Sequence, residues 1–100
     1  MGTRLELHGE LLDLAPNAYY DPPTSIKMQY PCFVYNRSDI DAIHANNSKY
    51  QKFNKYSLTY ISRSVSDQKV DEILNHFSYC SFDRSYTSDG LHHYVFSLYY

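Results

Sequence analysis

Residues 79–100 alternate as only strands do. Cys80, Phe82 and Tyr86 fall on one side of a first run, and Tyr94, Phe96, Leu98 and Tyr100 on one side of a second. Side chains two apart share a face of a pleated strand, so period-two patterning marks a strand buried on one side. Between the runs stands Asp89-Gly90, a hairpin dipeptide, because glycine takes a positive φ without strain and aspartate tolerates one. The expectation is a C-terminal hairpin inside a sheet, with an apolar face that the upstream chain covers.

Two stretches have the period to do so. Residues 3–14 predict a helix with Thr3 as N-cap and Glu6, three positions on, completing a capping box. Leu7, Leu11 and Leu14 share one of its faces, whereas Leu5 and Leu12 lie nearly opposite, so the helix asks for a partner on each side. Gly9 weakens it and Pro16 ends it. A second helix starts at Ser66 or Asp67 and runs to about Phe77, with Val70, Ile73, Leu74 and Phe77 at i, i+3, i+4, i+7. Asp67, Asp71 and Glu72 stand early in it, where the helix dipole favours carboxylates, and His76 stands late.

Between the helices the pattern is mostly that of strands. Tyr19-Tyr20 suit a short strand, after which Asp21-Pro22-Pro23 turns or extends. A strand is expected over 26–36, with Pro31 inside it making it an edge strand or breaking its register. Another is expected over 53–64, where Tyr56, Leu58 and Tyr60 alternate with Ser57, Thr59 and Ile61, and the polar Ser62-Arg63-Ser64 protrudes past the sheet. Residues 37–52 show no sustained period and predict a long loop with Asn46-Asn47-Ser48 at its tip, an arm that orders against a neighbour. The sum is α+β: one domain over 1–100, with a mainly antiparallel sheet of four or five strands covered by two helices.

Composition argues against several kinds of chemistry. Nine Lys and Arg against eleven Asp and Glu give a formal net charge of −2 and no basic block, which speaks against a nucleic-acid surface. Nothing near the N-terminus has the pattern of a secretion signal, and no apolar run approaches the about 20 residues that span a bilayer. Cys32 and Cys80 are therefore expected as free thiols in apolar strands, where burial raises rather than lowers a thiol's pKa. No zinc-ligand spacing occurs, and His92 and His93, adjacent on a strand, point to opposite faces. With three glycines, no phosphate-cradling loop and no nucleophile motif, the expectation is a non-enzyme without metal or cofactor. Twelve Tyr, five Phe and no Trp point elsewhere: tyrosine is enriched at protein–protein interfaces, offering a large rigid contact area with a wettable tip.

Tyr30-Pro31-Cys32-Phe33-Val34-Tyr35-Asn36-Arg37-Ser38 follows the short leucine helix, and Cys80-Ser81-Phe82-Asp83-Arg84 and His93-Tyr94-Val95-Phe96-Ser97-Leu98-Tyr99-Tyr100 close the chain. With the tyrosine-rich strands between them, these runs resemble small tailed-phage tail terminator proteins, also called tail completion or head–tail joining proteins. The resemblance implies a virion protein, assembled in the host cytoplasm, that forms a hexameric ring. Such a ring ends polymerisation of the tail tube, meets the head connector on its other face, and lets DNA pass through its lumen unread. It implies no cofactor and no membrane. Subunit contacts are then expected at Leu5 and Leu12, at Tyr19 and Tyr20, and along the arm at Arg37, Asp39, Asp41 and Tyr50. The alternatives are a head-closure or minor capsid protein of the same connector, and a monomeric phage protein that binds a host protein.

Overall fold

A computed structural model describes the backbone of residues 3–23, 25–45 and 48–100, and the side chains of 3–23, 25–38 and 54–100. The elements run α1 (Arg4–Leu14), β1 (Asn17–Tyr20), β2 (Cys32–Ala45), β3 (Ser48–Ser62), α2 (Asp67–His76), β4 (Cys80–Ser88) and β5 (Leu91–Tyr99). The strands form one sheet in the order β1-β2-β3-β5-β4. Only β1–β2 is parallel; the other pairs are antiparallel. The α+β expectation is met, with both helices on one face of a five-stranded sheet.

The C-terminal hairpin forms where the alternation places it. Asp89 and Gly90 adopt φ of 54° and 74°, the pair of positive values that a two-residue turn between twisted strands requires. Tyr94, Phe96 and Leu98 are buried against Leu7 and Leu11 of α1 and Ile73 and Phe77 of α2. Phe33, Tyr35, Tyr56, Leu58 and Tyr60 complete the layer from β2 and β3. The rings meet at a tilt, as between Phe33 and Tyr60 at 5.2 Å and Tyr35 and Tyr56 at 6.0 Å, the arrangement that ring quadrupoles favour over face-to-face stacking.

α1 starts as its capping box dictates. Thr3 Oγ1 accepts from the Glu6 N–H at 3.2 Å, and Glu6 Oε1 accepts from the Thr3 N–H at 3.2 Å. α2 is capped differently from expectation. Ser66 occupies the cap position, but its hydroxyl donates to the Ser64 carbonyl and Ser62 Oγ, and no side-chain bond reaches the helix N–H groups. The Ser66 N–H donates to the buried Tyr94 hydroxyl at 2.9 Å, which ties the helix start to β5. Ser62, expected to protrude, is accordingly buried.

Three expectations are corrected. The strand placed over 26–36 begins only at Cys32, after a connection and a cis Tyr30–Pro31 peptide. Pro31 thus precedes β2 and removes no ladder bond, and β2 lies inside the sheet between β1 and β3 rather than at its edge. Residues 37–52 are not a loop: β2 and β3 continue through them as a hairpin, pairing Asp41 with Phe53, Ala42 with Lys52 and Ile43 with Gln51. Register shifts between Arg37 and Asp39 and between Ile43 and Ala45 interrupt the alternation, which hides the strands from a period-two reading. Asn46 and Asn47, the expected tip, lie outside the described residues, and Ser48 opens β3. Finally, Tyr86 does not share a face with Cys80 and Phe82. A bulge between Phe82 and Arg84 turns the rest of β4 over, so Phe82 opposes Phe96 on the helix side while Tyr86 opposes His93 on the other.

The hairpin of β2 and β3 sets the long dimension of the molecule. β3 has 15 residues, which at strand rise is about 50 Å, and the principal extents are 51 × 28 × 22 Å. β1 pairs with β2 only as far as Tyr35, and β5 with β3 only as far as Lys55, with one further bond from the Tyr100 N–H to the Asn54 carbonyl. Past those points β2 and β3 flank each other alone, as an arm.

Candidate assembly surfaces

Burying Leu7 and Leu11 under α1 forces Leu5 and Leu12 onto its far side, where they are 72% and 45% exposed. This first patch lies over the β1 half of the sheet, since α1 packs beside β1 and α2 beside β4. Its neighbours are engaged within the subunit. The Arg4 guanidinium sits 4.5 Å above the Tyr20 ring, which rests on Tyr35 at 5.0 Å. Tyr19 accepts from the Gln29 N–H at 3.1 Å, holding the β1–β2 connection down. Of the residues expected at contacts, then, Leu5 and Leu12 stand free, and Tyr19 and Tyr20 are half-buried with partners of their own. Arg37 is exposed on β2, its guanidinium 6.0 Å from the Tyr56 ring. Asp39 and Asp41 lie on β2 opposite Lys55 and Phe53, and Tyr50 lies on β3; their side chains are outside the described residues.

A second group of exposed apolar side chains, at the β4 edge, was not foreseen, and the bulge divides it between the two faces of the sheet. Val65, Tyr79, Phe82 and Tyr86 are exposed by 67%, 64%, 41% and 44%. Phe82 and Tyr86 are on β4, the edge strand, Tyr79 immediately precedes it, and Val65 shares a shallow depression with Tyr86 and His93. Tyr86 stacks flat on His93, with ring centroids 4.6 Å apart at 9°. Ser97 donates to Asp83 at 2.7 Å, fixing the bulge. The sequence held one signal for this patch: Asp83-Arg84, two charges in succession where an alternating strand permits one.

Beneath α1 runs a polar network. Tyr35 Oη meets His8 Nδ1 at 2.7 Å. Glu10 accepts from the Tyr100 hydroxyl through one carboxylate oxygen and contacts His76 Nε2 at 3.0 Å through the other, so α1, α2 and the residue after β5 meet at one side chain. A histidine on a carboxylate is two parts of a nucleophilic triad, but in a triad the nucleophile bonds the imidazole, whereas the Tyr100 phenol bonds the Glu10 carboxylate. Burial, then the Glu10 carboxylate, push that phenol's pKa upward, the wrong direction for a nucleophile. Burial likewise raises the Tyr35 phenol, with Arg4 opposing it. The thiols of Cys32 and Cys80 are pushed up to about 11, both chiefly by burial and Cys80 also by Asp83. Among the described residues no three His, Cys, Asp or Glu side chains converge as metal ligands would. What this network does in the fold is tie elements together.

Compared with protein-family models, curated proteins and solved structures, the chain matches none.

Proposed function

We propose that this protein is a structural subunit that assembles with copies of itself into a closed ring, and that the ring is a phage tail terminator: a hexamer on the tail tube that halts its growth and joins it to the head connector, DNA passing through unread. The observation that carries the reading is the separation of the two exposed apolar patches. One is on the outer side of α1, over the β1 half; the other is spread over both faces of the β4 edge, across the sheet. Two different patches on one subunit favour a head-to-tail contact, in which unlike surfaces of successive copies meet. Such contacts close into rings when the rotation between copies allows it. The tyrosine-rich composition and the raised thiols and phenols support an assembly role over a chemical one.

Mass photometry of the purified protein tests the ring, with a single species at six times the subunit mass as the expected result. Quantitative mass spectrometry of purified virions tests the placement, with about one ring per tail expected from closed symmetry. A ring that stacks on the portal adaptor instead of the tail tube would move the protein to the head-closure class. A strictly monomeric protein absent from virions would reject the reading.

A further inference from the structure

β4 is the outer strand of the sheet, and all of its residues except Cys80 are exposed. One row of its backbone N–H and C=O groups faces away from β5, the kind of edge that accepts another strand. Edges are normally blunted by bulges, prolines or lysines. Here the bulge at Asp83 guards the first half, but residues 84–88 pair regularly with β5 and contain neither lysine nor proline. The arm has the complementary deficit. From Asn36 onward β2 has β3 on one side and, among the described residues, no strand on the other, and a two-stranded ribbon by itself is marginal in water. β3 and β5 separate β2 from β4, so the arm cannot reach the β4 edge of its own subunit.

We infer that the arm of one copy lies along residues 84–88 of a second copy, its β2 edge adding a sixth strand to that sheet. Charge selects the β2 edge over the β3 edge. The β2 part of the arm contains Asp39 and Asp41 beyond a single basic residue, Arg37, at its base, whereas the β3 part contains Lys49 and Lys52 and no acidic residue. The open half of β4 contains Arg84, which has no ion-pair partner among the described residues, and no acidic residue. Opposite charges across a strand pair stabilise it and like charges oppose it. The contact joins unlike surfaces, so each copy gives an arm to one neighbour and receives one from the other. The inference rests on the assembly reading above and specifies its seam.

The test mixes two differently tagged variants, Ser85→Cys and Ala42→Cys, under mild oxidation. A disulfide joining the two tags is expected, and a Ser64→Cys variant should give none with Ala42→Cys; the native thiols stay protonated and slow to react. Arg84→Glu should weaken association about tenfold or more, and combining it with Asp39→Arg and Asp41→Arg should restore most of that loss. Amides of residues 84–88 should gain hydrogen-exchange protection on association in the wild type. Assembly that persists without the cross-link, the protection or the charge effect overturns the seam and leaves the ring reading standing. A wild type that stays monomeric at every concentration overturns both.

Discussion

β2 and β3 behave differently on either side of Asn36 and Asn54. Inside the body they are flanked by β1 and β5, and one face lies under two helices. There Tyr35, Tyr56 and Leu58 are fully buried, and the side chains alternate because only one face is covered. In the arm the same strands go on pairing with each other, but among the described residues no third strand flanks them, and the register slips twice. The difference shows that backbone pairing alone makes a strand, whereas a flanking layer makes it legible and stable. The body's strands are held between neighbouring strands and helices, whereas the arm's strands pair only with each other among the described residues.

The largest effect should come from the body. Phe96→Ala removes a fully buried ring against Phe82 and should cost about 3–5 kcal/mol in urea unfolding; a loss under about 1 kcal/mol would mean that the layered half is not where stability resides. Alkali should weaken the same half. The folded thiols titrate near 11 instead of their ordinary 9.0, so their contribution is complete below 9.0 and disappears as pH rises through about 11. Each thiol should account for about 1–3 kcal/mol of that loss, and a Cys32→Ala, Cys80→Ala variant should lose less than the wild type over the same interval.

Smaller substitutions sharpen the contrast. Tyr35→Phe deletes the hydroxyl bonded to His8 and should cost about 1 kcal/mol. Tyr56→Phe, two positions from the arm boundary on β3, deletes a buried hydroxyl without a partner among the described residues. It should therefore be neutral or stabilise by up to about 1 kcal/mol. If Tyr56→Phe destabilises as much as Tyr35→Phe, the arm supplies that hydroxyl with a bond and the boundary lies farther out. The least effect on unfolding is expected from replacing residues 40–54 with a two-residue Asn-Gly turn, which keeps Asp39 opposite Lys55 and should change the unfolding free energy by less than about 1 kcal/mol while abolishing assembly.

How much of this was legible in the sequence follows from the same contrast. Leu7, Leu11, Ile73 and Phe77 were found on helix faces, and Tyr94, Phe96 and Leu98 on a strand face, because one-sided burial imposes a period. Thr3 with Glu6 and Asp89 with Gly90 carry their geometry in their side chains, so cap and turn were legible too. The extra residue at Asp83 was not, and it reversed the placement of Tyr86 and hid the β4 patch. Leu5 and Leu12 were visible as apolar residues on the wrong side of a helix, but no periodic signal says whether such residues meet a neighbour or water.

Glu10 lies near the start of the chain, yet its two bonds reach residues 66 and 90 positions later. During synthesis the helix carrying it leaves the ribosome long before either partner exists. Its leucine face, which lies over the β1 half, must therefore wait for a sheet until β2 and β3 are made, and its Glu10 bonds must wait longer still, a delay characteristic of folds dominated by distant contacts. Slowing translation of the β2 and β3 codons should lengthen the exposure of that face to chaperones and proteases.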